Sequence, residues 1–350
     1  MNKYNYIKDE DLIESYTFGG IAYSSSLEYK VKFQKNNPVG AMILRKKFDY
    51  GLVKIAVNSG ATLMDGKPVS DVKILKDKAR ILLQNGTNID SKIVIGSDGV
   101  WSTIAQKSGL ARRRKNVGMC LCEEYPVNTK TMDRYFGEKR ICHIHMKPQG
   151  IAGYGWVFPK KENVNIGIGE VNPVETQSKN LKKIYKDYIS TLKESKIIPA
   201  DLKISRIKGG VIPLFPLEKT YSDRLILCGD AAGFINPISG EGIFYAMSSG
   251  EIAAKVITES LEADDTSERF LSRYQDIWKN DFGRDIKLLR GTNKQWTKGP
   301  KNFVKLASKD EKLAEMAFGI LQGELSIYEY RWRLISRYLY VKFKDLFSRN

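Results

Sequence analysis

Residues 225–249 read LILCGDAAGFINPISGEGIFYAMSS, and this stretch decides the fold. Leu225-Ile226-Leu227-Cys228 is an apolar run of strand length that stops at Gly229-Asp230. Small residues follow, then Asn236-Pro237, then Gly240-Glu241-Gly242, and a helical pattern runs from Glu241 to Leu261. A strand ending in a carboxylate, with a glycine-rich turn opening onto a helix, suits a ligand that carries hydroxyls and phosphate. Glycines let backbone N–H groups approach closely, and a helix N-terminus offers unpaired donors at the positive end of its dipole.

A second unit of the same kind lies upstream. Lys92-Ile93-Val94-Ile95 reads as a buried strand, Gly96-Ser97-Asp98-Gly99 follows, and Val100 to Leu110 reads as a short helix with Ser102 as its cap. Carboxylates at strand ends face the crevices where α/β sheets bind ligands. An aspartate in such a turn also serves simply as a cap, and for Asp98 both readings stay open. Asp230 is followed by three glycines and a proline that shape backbone rather than fill a core, which favours the ligand.

Around these units the chain changes character. Phe18-Gly19-Gly20 reads as a turn, Glu28–Phe33 and Ala41–Leu44 as strands, and Arg45 opens a helix with Leu52, Ile55 and Ala56 on one face and Gly60 at its end. Lys67–Leu75 and Ala79–Gln84 form a hairpin. Arg112-Arg113-Arg114-Lys115 reads as a solvated linker. Val117 to Glu170 reads as an antiparallel sheet containing Tyr154-Gly155-Trp156-Val157-Phe158-Pro159 and Asn165-Ile166-Gly167-Ile168-Gly169. Asn180–Glu194 is an amphipathic helix, Leu202–Ile212 a strand and Ser267–Leu289 a helix. From Gly291 the chain is helical, basic and aromatic. Trp332, Ile335, Leu339 and Phe343 share one helical face there, with Arg331, Arg333, Arg337 and Lys344 largely elsewhere.

The 350 residues carry a net charge of +17, with 14 Phe, 18 Tyr and 5 Trp, enough for a sizeable core and a preference for something anionic. No nucleic-acid motif is present and the basic residues are spread, so nucleic acid ranks low as a partner. Cys120, Cys122, Cys142 and His143 lack zinc spacing and read as small core residues, so no metal is expected. Few cysteines and no signal peptide point to the cytoplasm, and no apolar run is long enough to span a membrane.

Four segments, in order, resemble the geranylgeranyl reductase family of FAD-dependent, p-hydroxybenzoate hydroxylase-like flavoproteins. They are Arg45 with Phe48-Asp49; Gly96-Ser97-Asp98-Gly99-Val100-Trp101-Ser102; Tyr154-x-Trp156-x-Phe158-Pro159 with Gly167-x-Gly169; and the Cys228 to Ile243 stretch. The resemblance runs from about Val39 to about Leu289. It implies an α/β, overall α+β, chain. An FAD-binding Rossmann-like domain would be built from 1–110 and 205–290, an antiparallel-sheet substrate domain from 111–204, and a basic helical region from 291–350. It implies that Asp230 and Gly229 bind the FAD ribityl chain and that Gly240, Glu241, Gly242 and Ile243 run along flavin and pyrophosphate. Arg45 would contact the cofactor, Asp98 and Gly99 would shape its site, and Tyr154 and Trp156 would line the substrate cavity, with Tyr154 a candidate proton donor.

The activity implied is saturation of C=C bonds in geranylgeranyl chains of archaeal-type ether phospholipid precursors. The isoprenoid lipid would be the substrate, contact with a membrane would be peripheral, and a ferredoxin-like protein or NAD(P)H would be the reductant. The family's opening GxGxxG unit is missing from these residues. A truncated reading frame, a flavin-free lipid- or membrane-surface-binding remnant, and flavin binding completed from elsewhere are the three accounts. A flavin monooxygenase or halogenase is the alternative chemistry.

Overall fold

The computed structural model describes residues 12–112, 114, 116–171, 180–298, 300–321 and 323–347, with backbone alone at 292–298 and 300. It divides into two compact units. One is Met64–Gly118 with Val211–Asn293; the other is Met1–Leu63, Met119–Gly210 and Lys294–Asn350. Residues 12–63, expected in the cofactor domain, therefore group with the inserted sheet, as do the C-terminal helices.

In the first unit Val94–Gly96 runs parallel to Leu225–Leu227, with Gly96 opposite Leu227, and Tyr221–Ser222 pairs antiparallel on the far side. Leu225, Ile226 and Leu227 are wholly buried. The helices Ile243–Glu262 and Glu268–Trp278 supply Ala253, Val256, Leu271 and Tyr274 to the same core. Ile95, read as buried, is 49% exposed, because Val94–Gly96 is the outer strand of the three and is flanked on one side only among the described residues. The hairpin Val69–Ile74 and Ala79–Leu83 forms as read, and Asn88–Ser91 extends it. The expected single helix over 267–289 is instead Glu268–Trp278, a π-helical turn Lys279–Gly283 and Arg284–Lys298. The extra residue stacks Trp278 on Phe282 (centroids 5.9 Å apart) and sets Gly283 where a Cβ would come within 2.9 Å of the Trp278 ring.

The second unit is built on a seven-stranded sheet. Its order is Lys208–Pro213, Val117–Pro126, Asn163–Val171, Gly153–Pro159, Cys142–Met146, Gly19–Tyr23, Lys30–Gln34. Gly19-Gly20 is thus not a turn but lies within a strand, which runs parallel to Cys142–Met146 and interrupts the expected all-antiparallel order. The reason is close approach: a Cβ on Gly19 would sit 2.1 Å from the Phe33 carbonyl oxygen. The helix Leu181–Glu194, capped by Asn180, buries Tyr185, Tyr188, Ile189 and Leu192 against one face of the sheet. Pro300–Ala307, Glu311–Leu321 and Ile327–Phe347 pack on the Gly19–Gln34 hairpin through Val304, Leu313, Phe318 and Val341. The helix Arg45–Asn58 buries Phe48 and Gly51, the latter against Leu12, and leaves Ile55 and Ala56 exposed. Helix Thr129–Phe136 was not read from the sequence; Asn128 caps it through the Thr131 N–H (3.0 Å).

Candidate active site

In the first unit the two acid–glycine turns emerge at one sheet edge. Gly96 and Leu227 end their parallel strands side by side, and the Cys228 N–H donates to the Gly96 carbonyl (2.9 Å). Asp98 and Asp230 leave from there, but their surroundings differ. The Asp98 oxygens accept from the Ser102 hydroxyl (2.5 Å) and the Ile104 N–H (3.0 Å), and the Ser102 oxygen accepts from the Ala105 N–H (2.8 Å). Both oxygens therefore help start the helix Thr103–Lys107, and Ser102 is the cap expected. Gly99 turns the chain at φ +82°.

Asp230 is half-buried in the short helix Gly229–Ala232. Gly229 has φ +54° and donates its N–H to the buried Ser249 hydroxyl (3.0 Å). The Asp230 carboxylate lies over the start of Ile243–Glu262, since a Cβ on Gly242 would stand 3.4 Å from Asp230 Oδ1. The turn between them is organised by Asn236. Its Oδ1 accepts from the N–H groups of Ile238 (3.0 Å) and Ser239 (3.1 Å), and its carbonyl accepts from Gly240 N–H (2.9 Å). Glu241 Oε1 accepts from the Phe244 N–H (2.8 Å), so one donor of the helix start is taken by the chain itself.

Arg114 was read as part of a solvated linker, and the structure corrects this; its neighbours Arg113 and Lys115 lie outside the described residues. Its guanidinium donates to the carbonyls of Phe215 (3.1 Å) and Ala231 (2.9 Å) and reaches that of Asp230 (3.5 Å). Burial pulls its pKa below the ordinary value, and the Asp230 charge pushes back. Arg114 thus holds the Asp230 turn from behind. Its only sequence signal was one cation in a run of four, which local pattern does not single out.

In the second unit the strand register explains the Tyr-x-Trp and Gly-x-Gly segments together. Tyr154 stands opposite Gly169 and Trp156 opposite Gly167. The Trp156 indole lies across the neighbouring strand, so a Cβ on Gly167 would come 2.2 Å from Cζ2, and one on Gly169 3.6 Å from Cζ3. Tyr154, Trp156 and Phe158 form a ladder with centroids 5.6 and 6.1 Å apart. The Trp156 Nε1–H donates to Asn165 Oδ1 (2.6 Å), the Asn165 amide to Glu124 Oε1 (3.0 Å), and the Lys160 ammonium to the same oxygen (2.5 Å). This network, absent from the sequence reading, fixes the plane of the indole. Cys122 and Cys120 lie beside Gly167 and Gly169, and burial pushes the Cys120 thiol up to about 12, which keeps it protonated at neutral pH.

The other sheet face is closed by Tyr188, which packs on Gly155 and donates to or accepts from His145 Nδ1 (2.7 Å); Tyr23 likewise bonds His143 Nδ1 (2.9 Å). Burial lowers the two histidines to about 4 and about 3 for His143 and His145. Cys142 and His143 alternate across their strand and so face opposite ways. Arg45 begins its helix and holds Asp49 through Nε (2.9 and 3.1 Å), with its side chain 66% exposed. The structure therefore groups Asp98, Gly99, Gly229, Asp230 and Gly240–Ile243 in one unit and places Arg45, Tyr154 and Trp156 in the other.

Known proteins resemble this chain in sequence and in fold. A sequence model described as the geranylgeranyl reductase catalytic domain matches residues 116–211. Digeranylgeranylglycerophospholipid reductase 1 of Methanopyrus kandleri is 33% identical over 301 residues, covering 81% of this chain and 76% of that protein. The digeranylgeranylglycerophospholipid reductase of Methanocaldococcus jannaschii is 30% identical over 280 residues, covering 77% and 68%. Among solved structures, a geranylgeranyl bacteriochlorophyll reductase-like protein from Thermoplasma acidophilum superposes with a TM-score of 0.77 at 24% identity, over 88% of this chain and 79% of that one. A flavin-dependent brominase gives 0.70 at 17% identity, over 99% and 86%, a likeness of fold.

Proposed function

The chain belongs to the geranylgeranyl reductase family, and on that premise we propose that it saturates C=C bonds in the geranylgeranyl chains of archaeal-type ether phospholipid precursors. The observation that carries the reading is the pairing of Tyr154 and Trp156 with Gly169 and Gly167, which lays a nearly buried indole on the two glycines with the half-buried Tyr154 and Phe158 on either side, an aromatic lining that suits an isoprenoid chain. The cofactor proposed is FAD. Its fit rests on the turn where the Asp230 carboxylate faces a glycine, Gly242, at a helix start, so that a Cβ there would stand 3.4 Å from Oδ1, a place suited to ribityl hydroxyls with phosphate close by. Asp230 and Gly229 would hold the ribityl chain, Gly240–Ile243 the flavin and pyrophosphate, with Asp98–Gly99 and Arg45 shaping and contacting the site.

FAD, when bound and reduced, would supply the hydride that one alkene carbon accepts. The residues of this chain orient and desolvate the alkene. Trp156, fixed by Asn165, Glu124 and Lys160, sets the surface on which it lies, and the Tyr154 hydroxyl is proposed to give the proton to the other carbon. A ferredoxin-like protein or NAD(P)H would restore the reduced cofactor. No helix among the described residues is long and apolar enough to cross a membrane, and the lipid substrate proposed would bring the enzyme, working in the cytoplasm, to the edge of one.

Anaerobic incubation of the purified protein with reduced flavin and digeranylgeranylglyceryl phospholipid tests the reading. Mass gain in steps of two hydrogens per chain is the expected result. Product formed only with oxygen would overturn it in favour of a hydroxylase or halogenase.

A further inference from the structure

The helix Ile327–Phe347 has two apolar faces, and among the described residues only one is covered. Val341 is buried against the hairpin Gly19–Gln34 and the preceding helices, with Leu334 and Tyr338 packed beside it, and Ile327 is buried on the same side of the helix. At 3.6 residues per turn, Trp332, Ile335, Leu339, Phe343 and Leu346 fall within about a quarter of the circumference away from that contact. They are exposed by 68%, 45%, 55%, 63% and 58%. Arg331 and Lys342 border this stripe on one side; on the other Ser336, Glu329 and Tyr340 come first, with Arg333 and Lys344 beyond them. The guanidinium of Arg331 lies over the Tyr328 ring (4.3 Å) and that of Arg333 over the Tyr330 ring (5.5 Å), while Arg337 is taken by Asp310 (2.6 Å).

A run of large exposed side chains along one helix marks an interaction surface. We infer that this face seats on an anionic lipid leaflet, with the helix lying in the plane of the surface. Two features select that occupant. The stripe needs an apolar medium, while its basic border at Arg331 and Lys342 and the chain's net charge of +17 need negative charge beside it. A second copy of the chain would bring the same cations against one another. The helix is not apolar enough to cross a membrane, which leaves an interfacial pose. This adds a docking surface to the proposed reductase and does not rest on its chemistry.

Co-sedimentation of the full chain with vesicles of phosphatidylglycerol in phosphatidylcholine, against phosphatidylcholine alone, tests the inference. Binding to the anionic vesicles that weakens with salt is expected. The W332A/F343A variant should bind at least roughly tenfold more weakly, and R331E/K342E should lose the preference for anionic vesicles. All four side chains lie on the helix surface away from the core, and far-UV melting checks that the variants fold. Unchanged binding by both variants overturns the inference. So does a wild-type dimer, seen by sedimentation velocity, that W332A/F343A converts to monomer without vesicle binding. Flavin absorbance read on the same samples separates the two proposals. Yellow protein that ignores vesicles overturns the docking surface and leaves the reductase; colourless protein that binds them does the reverse.

Discussion

The substitution Gly167→Ala places a methyl group where Trp156 already lies. The new Cβ would stand 2.2 Å from Cζ2 and 2.4 Å from Cε2 of the indole, and 2.8 Å from the Cys122 Cβ. No pair of carbon atoms sits closer than about 3.5 Å at rest, so the indole must move by more than an ångström. Such overpacking costs about 1–3 kcal/mol, and tilting the ring also breaks the Nε1–H bond to Asn165, worth about 1 kcal/mol. Gly169→Ala is the internal control. Its Cβ meets Cys120 Sγ at 3.3 Å and the indole at 3.6 Å, contacts that a small shift relieves. Urea unfolding should therefore show G167A destabilised by about 2–4 kcal/mol and G169A by less than about 1 kcal/mol. Because the displaced ring is the proposed substrate surface, turnover in G167A should fall roughly tenfold or more. The double variant G167A/W156F, with a smaller ring, should recover part of the lost stability, giving a coupling of about 1 kcal/mol. Equal midpoints for G167A and the wild type, with turnover unchanged, would falsify the account of the Gly-x-Gly segment.

Three further outcomes are expected. Asp230→Asn should release flavin at least roughly tenfold more readily with little loss of stability, whereas Asp98→Asn should cost about 1 kcal/mol through its cap and, acting only through the shape of the site, loosen flavin less than Asp230→Asn does; absorbance after dialysis and urea midpoints decide, and the opposite pattern defeats the division of roles. Arg114→Met should destabilise by about 2–3 kcal/mol, because the carbonyls of Phe215 and Ala231 lose a charged donor; thermal melts at the wild-type temperature would contradict this. Acid should also weaken the fold. Burial holds His143 at about 4 and His145 at about 3, against 6.5 when unfolded, so the unfolded chain takes up protons first as pH falls through 6.5. Stability is complete above that value and is lost below it, by about 2 kcal/mol per ring at about pH 5. A urea midpoint that stays flat down to pH 5, or a profile no flatter in H143Q/H145Q, speaks against this.

Much of the first unit was legible because its signals are local. The strand Leu225–Leu227, the turn at Gly229-Asp230, the Ser102 cap and the Val69–Leu83 hairpin are each set by a few adjacent residues. What escaped reading depends on distant partners. Gly19-Gly20 looks like a turn until Phe33 backbone is laid 2.1 Å from its missing Cβ. Arg114 looks like surface until residues 215 and 231 come to it. Glu124 and Asn165 are 41 positions apart and meet only through the sheet. The motif Tyr154-x-Trp156 with Gly167-x-Gly169 was visible, but the reason for its spacing appears only once Trp156 is seen opposite Gly167.

The ends of the sheet insertion have a bearing on how this chain folds. The strands Val117–Pro126 and Lys208–Pro213 are neighbours, and the Leu214 N–H donates to the Asn116 carbonyl (3.3 Å). Pairing Val94–Gly96 with Leu225–Leu227 closes a loop of roughly 130 residues if the chain between is unstructured. If the insertion folds first, its entry and exit are already side by side, and the loop left to close is only a few tens of residues. The entropy difference is about 1 kcal/mol, and the kinetic benefit comes from deferring a non-local parallel pairing until its ends have been brought together. Folding would then proceed from the middle of the chain outward, with the Asp230 turn among the last parts to form.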